Sequence, residues 1–329
     1  MSATQPLKKV VLIGVQWLTA FKASGNLGSI ILAALLDAKA FQVTIVTRES
    51  GSASFPPDLS VVRTAYTESE LVRAFAGHDA VISAVGATGF LDQKVFIDAA
   101  VKVGVKRFIP SEFSSNTQSE AVRRLVPAFE PKKMVLDYLK EKESSGFTWT
   151  GLATGILFDW VRVEPRAWRN QTDSDKAFQV GFLGFDRVTK KAETWDDGNV
   201  AFSATIQEDF GKAIVGILTH PAETANQYLY VSSVTTTQRA ILDVIRSQTG
   251  QEWTVQHFKT DEEIARGRAL VAKGDFTGMF ALVKASAWGT VPGIRTNYPV
   301  DEKLANGLIG LPAERSIDEV MRNVLISVA

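Results

Sequence analysis

Residues 11–28 of the chain read VLIGVQWLTAFKASGNLG, and this stretch decides the fold. Without residues 15–22 it becomes VLIG-ASGNLG, in which Gly14, Gly25 and Gly28 have the G-x-x-G-x-x-G spacing of a dinucleotide-binding turn. In such a turn the first glycine leads the chain out of a strand, and the second lets the backbone approach a pyrophosphate. The third glycine packs the following helix against the strand. The stretch therefore predicts a strand-turn-helix unit whose helix N-terminus receives phosphates.

The eight residues VQWLTAFK at 15–22 interrupt this turn. They place Trp17 and Phe21 where a phosphate-binding turn uses small residues. One hypothesis is that the insert is intron-derived sequence, absent from the working protein. A second is that it forms a bulge and leaves residues 24–28 to bind phosphates unaided. A third is that the insert abolishes cofactor binding.

Composition limits the class of protein. Among 329 residues, Lys plus Arg and Asp plus Glu both number 36, so there is no basic excess of the kind that binds nucleic acid or anionic membranes. Cysteine is absent and the three histidines lie far apart, so we expect neither disulfides nor a metal centre. The polar N-terminus and the short apolar run at 30–36 contain neither a signal peptide nor a membrane span. We therefore expect a cytoplasmic monomer or homodimer with a small-molecule substrate.

Short apolar strands alternate with helical segments over the first half of the chain. This alternation is typical of a parallel sheet covered by helices on both faces. We predict a Rossmann-type doubly wound α/β domain over residues 1–155, and a smaller, interleaved C-terminal substrate lobe over 156–329, with 207–233 returning to the Rossmann core. The predicted strands are 10–13, 42–48, 60–63, 79–85, 105–109, 147–153 and 227–231. The predicted helices of the core are 29–38, 68–75, 93–103, 131–142 and 207–218.

Arg48 ends the second predicted strand, twenty residues after Gly28. At about this spacing a Rossmann domain reads the adenosine ribose: Asp or Glu selects NAD, whereas Arg accommodates the 2′-phosphate of NADP. A charge-assisted Arg–phosphate contact contributes roughly 1.5–3 kcal/mol, enough to set cofactor preference. Glu49 is a competing signal, but it lies one residue further on. Arg48 thus favours NADPH, and the alternative is an exposed charge at a strand end.

Two lysines begin the helix predicted over 131–142. Lys132 has apolar residues at i+3, i+4 and i+7. The residues that share a helix face with Lys133, Asp137 and Lys140, are polar. A lysine on an apolar face needs a partner or a task, and its depressed pKa suits proton transfer. The spacing leaves open that Lys132 instead extends over the first turn to solvent. Tyr138 and Lys142 have the Tyr-x-x-x-Lys spacing of short-chain dehydrogenases, but they lie about 9 Å further along the helix, so we interpret them as a surface pair.

Further stretches of the sequence carry a family resemblance. They are ASGNLG at 23–28, VTIVTRES at 43–50, HDAVISAVG at 78–86, GVKRFIPSEF at 104–113, FEPK at 129–132, GFTWTGLATG at 146–155 and HPAETANQYLYVSS at 220–233. In these stretches the chain resembles the NmrA-like, isoflavone-reductase-like branch of the atypical short-chain dehydrogenases, especially its fungal members. It departs from that pattern in the insert, and in lacking the lysine that plant members often place a short way after the arginine.

The resemblance implies an NADPH-dependent reductase of a small aromatic or heterocyclic secondary metabolite, acting on a C=C bond, a benzylic ether or a cyclic imine. It implies that Lys132 is catalytic. The residues that it implies for the cofactor are Gly14, Ser24, Gly25, Asn26, Leu27, Gly28, Arg48, Ser83, Val85, Gly86, Pro110, Ser111 and Phe113. Those that it implies for the substrate are Thr154, Phe158 and Trp160. The alternative is a redox-sensing regulatory protein, like NmrA itself, that binds NADP without turning it over.

Overall fold

The computed structural model of the chain describes residues 7–14, 27–51, 55–161, 184–186 and 189–326. The insert at 15–22 and the predicted phosphate-binding residues Ser24, Gly25 and Asn26 lie outside these ranges. The strands are β1 (Lys9–Ile13), β2 (Gln42–Arg48), β3 (Ser60–Thr64), β4 (Ala80–Ser83), β5 (Arg107–Ile109), β6 (Thr148–Ala153), β7 (Ile156–Leu157), β8 (Phe185–Asp186), β9 (Lys191–Trp195), β10 (Phe202–Thr205), β11 (Gln227–Tyr230), β12 (Val234–Thr236) and β13 (Thr254–Phe258). The helices are α1 (Leu27–Asp37), α2 (Glu68–Phe75), α3 (Gln93–Lys102), α4 (Glu120–Leu125), α5 (Glu130–Lys142), α6 (Gln207–Thr219), α7 (Gln238–Thr249), α8 (Thr260–Ala272), α9 (Thr277–Trp288), α10 (Tyr298–Asp301) and α11 (Ile317–Ile326).

A seven-stranded parallel sheet occupies the centre of the fold, in the order β3-β2-β1-β4-β5-β6-β11. The chain winds outward from β1 to β3 and then returns to begin the other half of the sheet at β4. The two halves diverge between β1 and β4, so this is the topological switch point of a doubly wound sheet, where such folds bind ligands. The predicted Rossmann-type α/β fold is confirmed.

Helices cover both faces of this sheet, because successive residues of a strand point to opposite sides. In β1, Val10 and Leu12 belong to the core beneath α1 and α6, whereas Val11 and Ile13 belong to the core beneath α2, α3 and α5. Helices α1 and α6 approach closely, since a Cβ atom at Gly211 would lie 2.7 Å from that of Ala34. A strand with apolar residues on both faces is the reason that the β1 segment is uniformly hydrophobic.

A second core is formed mainly by residues of the C-terminal half of the chain. Two three-stranded sheets, β12-β10-β7 and β13-β9-β8, contribute to it together with α4, α7 and α9. Trp195 and Trp288 are almost fully buried there, with ring centroids 6.4 Å apart. The chain returns from this lobe to the central sheet, because α6 packs against α1 and β11 pairs with β6.

Within the described ranges, no helix combines the length and the apolar character that crossing a membrane requires. Nor do these ranges bring together three or more His, Cys, Asp or Glu side chains in an arrangement that could hold a metal ion.

Candidate active site

Gly14 follows directly after β1, at the switch point between β1 and β4. Its φ is +88°, a backbone conformation that favours glycine, and a Cβ atom there would lie 2.5 Å from the carbonyl oxygen of Ala84. The Ala84 amide donates to the carbonyl oxygen of Ile13 over 2.8 Å, which draws the ends of β1 and β4 together. Helix α1 then begins at Leu27 with no acidic residue in its first turn, and Gly28 is buried. The described residues thus include the strand and the helix on either side of the predicted turn, whereas residues 15–26 of the turn itself lie outside the described ranges.

The ends of β4 and β5 meet beside this turn. Ser83 is fully buried, and its hydroxyl has no hydrogen-bond partner among the described residues. Further on, the Ser111 hydroxyl donates to the carbonyl oxygen of Val85 over 2.8 Å. The side-chain carbonyl of Gln93 accepts from the Ser111 amide, also at 2.8 Å. Gln93 was missed by the sequence reasoning, because its role depends on α3 packing beside β5.

The other cofactor positions predicted in these loops flank that junction. Gly86 precedes a short helical turn at Ala87–Gly89. Pro110 and Phe113 are buried in the segment that follows β5, and the Phe113 ring packs edge-on against Phe210 of α6, with centroids 5.1 Å apart. Phe113 thereby anchors this segment in the core that lies between the sheet and helices α1 and α6.

Arg48 lies at the carboxyl end of β2, as predicted, with 53% of its side chain exposed. Its guanidinium donates to the carboxylate of Asp92 over 2.9 Å and lies 5.3 Å from the ring centroid of Tyr66. Asp92 immediately precedes α3. The arginine is therefore held at the sheet edge where the adenosine end of a dinucleotide lies in Rossmann folds.

Lys132 lies in the first turn of α5 and is only 5% exposed. Its ammonium donates to the carbonyl oxygen of Glu112 over 2.6 Å and to the Ser114 hydroxyl over 3.0 Å. The rings of Phe90 and Phe129 lie 4.9 and 5.6 Å from Nζ. Burial lowers the pKa of Lys132 to about 8, although the nearby Glu112 opposes this shift. A lysine with this pKa exchanges protons near neutral pH.

The structure distinguishes Lys132 from the competing candidates on the same helix. Lys133 points away from this cluster and pairs with Asp137 at 2.5 Å. Tyr138 and Lys142 both contact Asp98 of α3, at 2.6 and 2.8 Å. This is a partly exposed surface arrangement at the far end of α5, in agreement with the interpretation of the Tyr-x-x-x-Lys spacing as a surface pair.

The three predicted substrate residues have different environments. Thr154 is buried, and its amide donates to the carbonyl oxygen of Ser114 at 3.2 Å, so its backbone adjoins the Lys132 cluster. Phe158 is 1% exposed and belongs to the core of the second lobe. Trp160 lies in a short helical turn, and its side chain is not among those described. A cavity of about 460 Å³ opens between α4, α8 and residues 291–292, but no predicted site residue lines it.

Comparison with known proteins identifies the family of this chain. The sequence matches the NmrA-like family over residues 15–284. The chain belongs to the NmrA-like family. Over 96% of its length it is 34% identical to oxidoreductase aprR of Aspergillus flavus, covering 98% of that protein. It is also 34% identical to oxidoreductase poxI of Penicillium oxalicum, over 94% of this chain and 93% of that one.

Solved structures share the fold at lower sequence similarity. A ternary complex of leucoanthocyanidin reductase from Vitis vinifera superposes with a TM-score of 0.71 at 18% identity, covering 97% of this chain and 99% of the other. At this level of identity the similarity concerns the fold. The sequence resemblance to the NmrA-like family is thus confirmed, and the fold is that of its reductase relatives.

Proposed function

We propose that this chain is an NADPH-dependent reductase of a small aromatic or heterocyclic metabolite. The observation that carries the proposal is the burial of Lys132, with its lowered pKa, beside the loops that leave the switch point. The names of the fungal relatives, oxidoreductase aprR and oxidoreductase poxI, support the same class of reaction.

The described residues at the switch point are compatible with a bound nicotinamide dinucleotide such as NADPH. Gly14 lets the ends of β1 and β4 close together, since a side chain there would meet the Ala84 backbone, and the buried Ser83 hydroxyl has no hydrogen-bond partner among these residues. Arg48 supplies an exposed guanidinium suited to a 2′-phosphate, a group that NADPH has and NADH lacks. Several fold relatives were solved as complexes with NADPH or NADP⁺, which supports the same cofactor here.

Bound NADPH would supply a hydride to the substrate. In this proposal Lys132 is the residue that moves or holds the proton, because its ammonium and amine forms are both accessible near pH 8. The carbonyl oxygen of Glu112 and the Ser114 hydroxyl orient Nζ, while the Phe90 and Phe129 rings shield it from water. The substrate classes that we propose are conjugated C=C bonds, benzylic ethers and cyclic imines of secondary metabolites.

The decisive experiment is turnover by the purified full-length chain. NADPH oxidation is followed with representatives of the three substrate classes, and products are identified by mass spectrometry. We expect reduction of at least one class. Tight binding of NADP with no turnover of any class contradicts the proposal and supports a redox-sensing regulator instead.

A further inference from the structure

Glu112 is a buried carboxylate beside the proposed catalytic lysine. It follows β5 in the sequence PSEF, and its side chain is only 1% exposed. Oxygen Oε2 accepts hydrogen bonds from the Tyr228 hydroxyl at 3.1 Å and from the Thr117 hydroxyl. The two hydroxyl oxygens lie 2.9 Å apart. Burying a carboxylate is costly unless hydrogen bonds and a countercharge stabilise it, so this arrangement calls for an explanation.

We propose that Glu112 is a positioning residue for Lys132: its buried carboxylate retains the proton on the lysine, and its backbone oxygen aims the ammonium group. This proposal rests on the proposed reductase function, in which Lys132 exchanges a proton. Because one residue supplies both the hydrogen-bond acceptor and the negative charge, the position and the protonation of Nζ are coupled.

Glu112 and Lys132 shift each other's pKa because both groups are buried. Burial raises the pKa of Glu112 above its ordinary value, and the Lys132 charge and the hydrogen bonds from Thr117 and Tyr228 offset only part of this rise. Burial lowers the pKa of Lys132, and the Glu112 charge opposes it. Charges attract more strongly in a poorly solvated site than in water, so removing the Glu112 charge leaves the Lys132 ammonium markedly less stable.

Other titratable groups around α5 are placed so that they do not take over this role. Tyr228 of β11 stays neutral, because burial and Glu112 raise its pKa well above the ordinary range. Several other charged groups near α5 make their contacts elsewhere. They are Glu130 with Arg123, Lys133 and Lys140 with Asp137, Lys142 with Asp98, and Lys94 over the Tyr138 ring.

The test is a direct titration of Lys132. Full-length protein carries lysine labelled with ¹³C at Cε, and the Lys132 resonance is identified as the one lost in Lys132→Arg. In Glu112→Gln we expect the titration midpoint to fall by about one pH unit or more, a tenfold loss of proton affinity. Glu130→Gln is the matched control, because that carboxylate is two residues from Lys132 but exposed and paired with Arg123. An unchanged midpoint in Glu112→Gln, or an equal fall in Glu130→Gln, overturns the proposal.

A milder variant covers the case in which Glu112→Gln does not fold. Tyr228→Phe removes one hydroxyl donor to Oε2 and keeps the aromatic ring, so the carboxylate is less stable as an anion. We expect the Lys132 midpoint to fall in the same direction by a smaller amount. A midpoint that stays constant or rises in folded Tyr228→Phe contradicts the proposal.

Turnover separates this inference from the proposed function. The limb of the kcat–pH profile that reports Lys132 should move to lower pH in Glu112→Gln by the same amount as the NMR midpoint, with KM little changed. If Lys132→Arg and Lys132→Met keep full turnover, the proposed role of Lys132 is wrong, whereas the NMR midpoint still decides the coupling to Glu112. A moved midpoint with an unmoved profile rejects the role of Glu112 in the reaction.

Discussion

At the scale of single residues, burial separates functional candidates that sequence spacing could only rank. Lys132 and Lys133 are neighbours in the chain, but one points into a buried cluster and the other pairs with Asp137 on the outside of α5. The pKa of Lys132 is lowered to about 8 because its ammonium is desolvated.

Replacing Lys132 should therefore disable the reaction. We expect Lys132→Met to lower kcat by about 10²–10⁴-fold, the usual contribution of a general acid or base, with the Kd for NADPH nearly unchanged. Lys133→Met is the matched control and should retain turnover. Steady-state kinetics and fluorescence titration with NADPH measure both quantities. A damaging Lys133→Met variant with an active Lys132→Met variant would reverse the assignment.

Arg48 should determine the preference between the two nicotinamide cofactors. We expect NADPH to bind at least about tenfold tighter than NADH, because one Arg–phosphate contact contributes roughly 1.5–3 kcal/mol. Arg48→Ala should remove most of that difference by weakening NADPH alone. Calorimetry with both cofactors measures the effect, and Arg63→Ala is a control on the neighbouring strand β3, where the side chain donates to the carbonyl oxygen of Gly51. Equal affinities in the unaltered protein would contradict the assignment.

At the scale of elements, single polar side chains join segments that are distant in sequence. Asp196, just after β9, accepts hydrogen bonds from the amide and hydroxyl of Thr260, at the start of α8. It also accepts from the amide and hydroxyl of Thr290, just after α9. One carboxylate thus holds the ends of two helices against a strand. Burial opposes ionisation of Asp196, but these hydrogen bonds outweigh it and lower the pKa below 3.8.

The lowered pKa predicts how stability depends on pH. A carboxylate whose pKa is lower in the folded state stabilises the protein above its unfolded pKa, and this contribution is lost as the pH falls through the folded value. We expect Asp196→Asn to lower the free energy of unfolding by about 1–3 kcal/mol at pH 7, with a smaller loss as the pH falls through the lowered pKa of Asp196. Asparagine tolerates the φ of +50° at this position, so backbone strain does not contribute.

Urea unfolding of both proteins across this pH range measures the difference. Asp197→Asn is the neighbouring control, since its carboxylate bonds within its own turn, to Asn199. A penalty for Asp196→Asn that stays constant down to the lowest pH would show that the charge is not what stabilises the junction.

At the scale of the whole molecule, the chain leaves the central sheet after β6 and returns with α6 and β11. We propose that residues 1–155 together with 207–233 form the dinucleotide-binding unit, and that the rest of 156–329 forms the substrate lobe. The buried core of the second lobe and its two small sheets support this division. The Lys132 cluster adjoins both parts, because the Phe129 ring, 5.6 Å from Lys132 Nζ, belongs to the core of the second lobe.

Removing residues 15–22 should strengthen cofactor binding. The close approach of Gly14 to Ala84 leaves little room beside the turn, and a shortened chain restores the glycine spacing that brings backbone amides to a pyrophosphate. We expect the deleted form to bind NADPH about tenfold tighter or more than the full-length chain. Calorimetry on both forms measures the consequence, and sequencing of the transcript decides whether the insert is intron-derived. Equal affinities would identify the insert as a tolerated loop.

The sequence by itself determined the central sheet and the helices around it. The prediction of β2 over 42–48 and α2 over 68–75 matches the structure residue for residue, and 10–13 and 227–231 are each within one residue. The strands could be predicted because a buried parallel strand is a short run of apolar residues, and α2 because apolar residues recur along it at helical spacing. Both patterns are local in the sequence. Strands β4 and β5 are shorter than the predicted 79–85 and 105–109, because residues such as Val85 and Val105 lie beyond the segments that pair in the sheet.

Only the tertiary structure decided the rest. Local sequence patterns did not predict the small strands β7–β10, β12 and β13. Strands β7 and β8 have only two residues each, and the packing of the second lobe determines which strands pair. It also could not bring Glu112 to Tyr228, 116 positions away, or Arg48 to Asp92, 44 positions away. The physical reason is that a side chain's pKa and hydrogen-bond partners depend on which distant segments fold against it, and that information is absent from local periodicity.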